Sequence, residues 1–312
     1  MNRLKYGFII LMVLFSSQGW AYPIYPLTIS DVYKGSELVI YGKVIRFEDI
    51  KNRNNIGEEL PPPPSIISDS RAVIQVIEVL KGVVRETEIC VSDDRGMVCP
   101  TPFYFEEGHE VVLFLKKSED SKLDVFYCFG LSYGGKDVTK EEYVIYKQKI
   151  QSLQAILSIP NIQERERRYI DWTIGCVKEP LTEWDGMFEL RNEKRMDYPS
   201  RDITANPYKL TAIQNKELCE FVYSKKRIDD VSIDFIRYLY QDNENKELID
   251  FLIKLIKSTE VNWANLYDVE NSIDLIATSA NREDLTSLYK KIKETDGNKK
   301  KQKLIMQFIK KI

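Results

Sequence analysis

The stretch Leu38-Val39-Ile40-Tyr41-Gly42-Lys43-Val44-Ile45-Arg46-Phe47 decides how the front of this chain folds. Val39, Ile40, Tyr41, Val44, Ile45 and Phe47 are β-branched or aromatic, the residue types that pack well on a pleated surface. Ala72–Leu80, Thr87–Val91, Val111–Leu115 and Val125–Phe129 follow in the same style. In Thr87–Val91 the alternation puts Thr87, Ile89 and Val91 on one face and Glu88 and Cys90 on the other. Turn signals at Lys81-Gly82, Arg95-Gly96, Glu107-Gly108 and Gly134-Gly135 separate the segments. Five or more short strands, with no helix large enough to cover a parallel sheet, predict a small barrel or sandwich.

A polar insert, residues 49–70, lies between the first two strands and contains Pro61-Pro62-Pro63-Pro64. Four prolines cannot donate to a ladder and favour polyproline II. A stiff surface loop is the plain expectation. A segment recognised by an aromatic groove is the sharper one, and it makes Pro61, Pro62, Pro63 and Pro64 the candidate binding loop.

Beyond Gly135 the apolar period changes to three and four. Thr139 and Glu142 form a capping box ahead of Tyr143, Tyr146, Ile150, Leu153 and Leu157, and Pro160 ends that helix. Asn161 with Glu164, and Thr211 with Gln214, repeat the pattern. Ser232-Ile233-Asp234-Phe235-Ile236 matches Ser272-Ile273-Asp274-Leu275-Ile276, and Asn245-Lys246-Glu247 matches Asn281-Arg282-Glu283. Stacked helix pairs of about 40 residues are the unit of HEAT-like solenoids. Two copies are few, and amphipathic helices resemble one another by composition alone. The basic tail, Lys299 to Lys311 around Leu304-Ile305-Met306 and Phe308-Ile309, reads as a last stacked helix with its apolar side inward. Lying on an anionic membrane surface is the alternative.

At 312 residues, 43% hydrophobic and 30% charged, the chain has apolar mass for real cores. Its net charge of −3 argues against nucleic acid as partner. Arg3 and Lys5, the apolar run Gly7–Phe15 and Gly19-Trp20-Ala21 read as a signal peptide over residues 1–21, cut between Ala21 and Tyr22. The expectation is a secreted or periplasmic protein with no integral membrane segment after the cut. Cleavage removes Arg3 and Lys5 and shifts the net charge to −5. In an oxidising compartment cysteines tend to pair. The odd set Cys90, Cys99, Cys128, Cys176 and Cys219 leaves one over, and spacing alone does not fix the partners.

The front half resembles the netrin-like module, the family of tissue metalloproteinase inhibitors and their bacterial relatives. Leu38–Val44 looks like its opening strand, and Val76-Ile77-Glu78-Val79-Leu80-Lys81-Gly82 like its V-x-x-V-x-K-G strand and turn. Cys99, Phe105, Gly108, Val111–Leu115 and Cys128 follow in the family's order. The resemblance covers about residues 26–137. It implies a five-stranded OB-type barrel and a Cys99–Cys128 disulfide. It does not carry over the inhibitors' grip on zinc, because the expected start is Tyr22-Pro23-Ile24 and the first cysteine is Cys90. The organisation expected is therefore α+β and multidomain. A signal peptide, 1–21, precedes an OB-type barrel, 22–137. An all-α domain, 138–312, follows, with a HEAT-like helix-pair repeat over about 231–312.

Recognisable reactive constellations are missing from the sequence. No G-x-S-x-G, H-E-x-x-H or glycine-rich phosphate loop occurs, and His109 is the single histidine. One histidine without partner ligands makes no metal site. Asp242-Asn243-Glu244-Asn245-Lys246 opens like a calcium loop but has Lys at its fifth position. Asp171, Trp172, Trp184 and Asp185 invite a carbohydrate reading, with indoles for sugar faces and acids for proton transfer. Helix packing of the two indoles beside solvated acids is the expectation. No cofactor and no metal are expected. The functional expectation is a non-enzymatic binding or scaffolding module with a protein partner. A protease inhibitor of altered mechanism and a glycan-active enzyme are the alternatives.

Overall fold

The computed structural model describes residues 26–49, 70–93, 101–118, 125–191, 208–230, 232–241, 245–262, 264–280 and 282–312. Ala21, Tyr22, the Pro61–Pro64 loop, Cys99 with its pairing to Cys128, and Asp242–Glu244 lie outside the described residues. The chain divides into two compact units, residues 1–154 and 155–312.

The first unit is a closed barrel. Strand β1 (Leu38–Asp49) pairs along one side with β2 (Ser70–Lys81) and along the other with β4 (Glu110–Lys117). β3 (Glu88–Ser92) continues from β2, and β5 (Phe126–Cys128) joins β4 to β3. The order β1-β2-β3-β5-β4 returns to β1, and a short β6 (Gly135–Asp137) adds to β4. Among the described residues every pairing is antiparallel except β3 with β5, which is parallel and rests there on a single registered pair, Val91 with Phe126. Closure removes exposed sheet edges among the paired segments, which is the usual solution for a small all-β unit.

Long β1 can serve two neighbours because it bends. Its register with β2 shifts at Val39/Ile40, Tyr41/Gly42 and Val44/Arg46, and such bulges increase local twist. Gly42 sits at one of them, where a Cβ would stand 2.6 Å from Ile74 Cγ2 and 2.7 Å from the Gln75 carbonyl oxygen. Leu38, Ile40, Ile74, Val91, Leu113 and Leu115 fill the interior.

Two helices flank the barrel's strands in sequence. Helix α1 (Ile29–Gly35) lies outside the sequence expectations, although Thr28 and Asp31 cap it reciprocally and Ile29 to Tyr33 are all buried. Helix α2 (Lys140–Leu157) starts where the Thr139/Glu142 box predicts, each partner accepting the other's backbone N–H. About its first four turns belong to the barrel unit, since the division at 154/155 falls inside it. Tyr143 stacks on Tyr41 and its hydroxyl donates to Glu78, which also receives Lys147 at 2.6 Å. The Tyr41 hydroxyl donates to Glu110.

The second unit is helical throughout its described part. It contains α3 (Ile162–Val177), α4 (Glu183–Arg191), α5 (Ala212–Tyr223), α6 (Ile233–Gln241), α7 (Lys246–Ser258), α8 (Leu266–Ser279), α9 (Glu283–Lys293) and α10 (Asn298–Lys311). One apolar core runs from Ile170 and Ile174 of α3 to Ile305 and Phe308 of α10. The expected caps are present: Asn161 Oδ1 accepts from the Glu164 N–H, and Thr211 and Gln214 form a full box. The matched pentapeptides have different local roles. Ser232 accepts the Phe235 N–H at the start of α6, whereas Ser272 is buried inside α8 and donates to the Asp268 carbonyl. What the two share is their buried side, Phe235 and Ile236 against Leu275 and Ile276. Among the described residues no helix is long and apolar enough to cross a membrane.

Candidate binding cleft

Helix α4 is short, and its buried side is unusual. Asp185, Gly186, Glu189 and Leu190 face inward, so two acids and a glycine occupy positions that apolar side chains normally hold. Gly186 permits this. A Cβ there would lie 2.4 Å from the Val177 nitrogen and 2.8 Å from the Thr173 carbonyl oxygen, so α4 rests directly on the backbone of α3. The buried Glu189 carboxylate is satisfied by the Tyr169 hydroxyl at 2.6 Å.

This packing turns the aromatic side of α4 outward. Trp184 is 44% exposed and lies on Phe188, with ring centroids 5.1 Å apart and planes 18° from parallel. The Arg191 guanidinium stacks on Phe188 in turn, 5.3 Å from its centroid, and comes within 3.3 Å of Asp234. The indole is therefore braced from behind while remaining open to solvent.

Trp184 lines a cleft of about 620 Å³, within the range of small-molecule sites, about 300–1,000 Å³. Glu183 and Trp184 come from the first turn of α4, Ser224 from the end of α5, Ser232 from the start of α6 and Asp268 from the first turn of α8. Met187, Lys225, Lys226 and Asp230 complete the wall. Helix starts carry partial positive charge, which favours the acids Glu183 and Asp268 placed there. Lys225 donates to both oxygens of Glu183 at 2.8 Å and sits 4.4 Å from the Phe221 centroid. Neither Lys226 nor Asp230 makes an ion pair among the described residues. Lys226 also lines a neighbouring cleft of about 290 Å³ with Arg227, Ile228, Ser258, Thr259, Glu260, Asn262 and Asn265.

The residues singled out in the sequence separate. Trp172 is buried and packs on Tyr169, centroids 5.5 Å apart, as helix packing requires. Asp171 is exposed, accepting from Gln214 at 2.8 Å. Asp185 is buried beneath α4. Neither aspartate lines the cleft, and Trp184 alone of the four does. His109 is exposed in the barrel unit, with Nδ1 3.1 Å from Asp137 and Nε2 3.4 Å from Glu106. The Asp137 hydrogen bond, with smaller help from Glu106, raises its pKa. No cluster of histidine, cysteine and carboxylate ligands suited to a metal occurs among the described residues. Glu183, Lys225, Lys226, Asp230 and Asp268 carried no sequence signal, being ordinary charged residues spread along the chain, and Ser232 stood out only as the start of a matched pentapeptide. No protein-family model matches the sequence, and comparison with curated proteins finds no significant match.

Proposed function

We propose that this is an exported, non-enzymatic binding protein whose helical unit holds its ligand against Trp184. The observation that carries the reading is the braced, solvent-open indole in the wall of a polar cleft. An aromatic side chain in the wall of a concave site with a few convergent polar groups is the usual makeup of a small-molecule pocket. The absence of a reactive motif from the sequence supports binding over turnover, and the basic start, apolar run and Gly19-Trp20-Ala21 support export.

We read the barrel unit as a netrin-like module. Its strand order and the positions of Val76–Gly82 and Val111–Leu115 support that assignment. A protein partner would be met by this unit, where Ile77, Val79 and Val83 expose apolar surface. The cleft serves a smaller or linear ligand.

The test is the indole N–H spectrum of the mature chain's three tryptophans, Trp172, Trp184 and Trp263, with Trp184→Phe assigning the Trp184 signal. Pools of amino acids, sugars, nucleotides and dicarboxylates are added in turn. Movement of the Trp184 signal by a compound recovered unchanged supports the reading. Conversion of that compound, or a signal that no pool moves, overturns it.

A further inference from the structure

We infer that the outer face of α10 docks on an anionic phospholipid surface, with Lys299, Lys300, Lys303 and Lys310 at the headgroup phosphates and Met306 between them. Nothing in this surface depends on the Trp184 cleft. Residues 290–312 hold nine lysines against two acids, Glu294 and Asp296, a surplus of seven in a chain whose net charge is −3, so the rest of the chain carries −10. The apolar side of α10 is taken up by the core, where Ile305 and Phe308 are buried. Lys301 is matched by Glu270 at 2.9 Å and Lys311 by Asp284 at 3.5 Å. The other seven lysines are exposed and make no ion pair among the described residues.

The helix itself gains nothing from this arrangement. Lys299, Lys303, Met306 and Lys310 follow one another at spacings of four, three and four, so they line one exposed stripe of α10, with Lys300 beside it. No acid lies on that stripe, and like charges four residues apart repel. Lys299, Lys300 and Lys303 also stand near the start of α10, where the helix already carries partial positive charge. A surface kept only for solvation would mix both signs. The row of one sign therefore answers to something outside the chain. It runs about 17 Å along the helix, at about 1.5 Å per residue. None of its lysines lines either cleft of the helical unit. A small anion needs polar groups that converge in a concavity, whereas a straight row matches an extended, flat one. Met306, 43% exposed amid the lysines, selects a layer whose charges lie over hydrocarbon, so that the thioether leaves water while the ammonium groups stay at the phosphates. An acidic polypeptide or a nucleic acid would meet the lysines but give Met306 no such layer. A leaflet meets this one face alone, and the negative charge elsewhere on the chain turns the remaining surface away from it.

The test is co-sedimentation of the chain from Tyr22 onward, free of the apolar run Gly7–Phe15, with vesicles of phosphatidylcholine and of equimolar phosphatidylcholine and phosphatidylglycerol. The chain should bind the mixed vesicles only. Salt at about 1 M, where the Debye length is about 3 Å, should release it. A lysine at an anionic surface is worth about fivefold in affinity, so the triple variant Lys299→Gln, Lys303→Gln, Lys310→Gln should bind about a hundredfold more weakly. Its urea midpoint should be no lower than the parent's, because the substitutions remove only repulsion from exposed positions. Arginine at the same three positions should retain binding, and Met306→Ser should weaken it severalfold. Glutamine at the exposed Lys43, Lys140 and Lys209 removes the same charge elsewhere and should leave most of the binding. No binding to the mixed vesicles at low salt, equal binding to both kinds of vesicle, or equal losses from the two glutamine triples overturns the inference. So does capture of polyglutamate or duplex DNA, or salt-sensitive self-association, that the Lys299, Lys303 and Lys310 substitutions abolish and that occurs without vesicle binding.

Discussion

Tyr41 of β1 and Tyr143 of α2 lie face to face, ring centroids 3.6 Å apart and planes 8° from parallel. Their hydroxyls diverge, Tyr41 to Glu110 and Tyr143 to Glu78. Burial, with help from these carboxylates, pushes the Tyr41 phenol up to about 12 and the Tyr143 phenol higher still. Both therefore remain neutral donors far into the alkaline range. Tyr143→Phe keeps the stack and loses one hydrogen bond, a cost of about 1 kcal/mol. Tyr143→Ala removes a buried ring, a cost of about 3–5 kcal/mol. Urea unfolding of the two variants separates ring from hydroxyl.

The same junction has an acid-side signature. Lys147, then the Tyr143 hydroxyl, hold Glu78 below its ordinary value of 4.5. A carboxylate whose folded pKa is depressed contributes stability above its unfolded pKa and loses it as pH falls through the folded one. Glu78→Gln should therefore flatten the acid limb of the stability profile beginning just below the ordinary value. Unfolding midpoints measured across that limb give the comparison; parallel profiles would reject this role for Glu78.

His109 offers the opposite sign. With its pKa raised by Asp137, its contribution is full below the ordinary value of 6.5 and disappears as pH rises through the folded one. Because it is the single histidine, its ring protons titrate without overlap. Asp137→Asn should bring the midpoint down toward the ordinary value, and Glu106→Gln should move it less. A proton NMR titration reads both.

The barrel was largely legible because β-branched residues mark its strands and turn glycines punctuate them. Two barrel elements escaped. α1 is only seven residues, and β6, Gly135–Asp137, contains no apolar side chain. The helical starts were legible through Thr139, Asn161 and Thr211, since a capping box is a local device. The cleft was not. It depends on α4 presenting Asp185 and Glu189 inward and Trp184 outward, the reverse of what amphipathic reasoning assumes. That reversal is set by Gly186 meeting the α3 backbone, a contact no spacing in the sequence announces.

The two described tryptophans should behave differently on truncation. Trp172 is 9% exposed, so Trp172→Ala should cost about 3–5 kcal/mol. Trp184 is 44% exposed, and Trp184→Ala should cost well under half of that. Equal losses in thermal or urea unfolding would contradict the assignment of one indole to packing and the other to solvent.

Gly186→Ala tests the seat of α4. The added methyl meets backbone atoms of Thr173 and Val177, which cannot rotate away, so about 1–3 kcal/mol should be lost. The shift of α4 should also change the emission of Trp184, whereas the barrel's unfolding should be untouched. A variant as stable as the parent, with unchanged emission, would mean that α3 and α4 are not in such close contact.

The lone parallel pair Val91–Phe126 makes the barrel unequal around its girth. A ring fastened firmly on every side but one gives way there first, as a clasp does before its band. Deuterium should enter the amides beside that pair well before it reaches those joining β1 to β2, opening a slit into Val91 and Leu115 while the rest of the wall still stands.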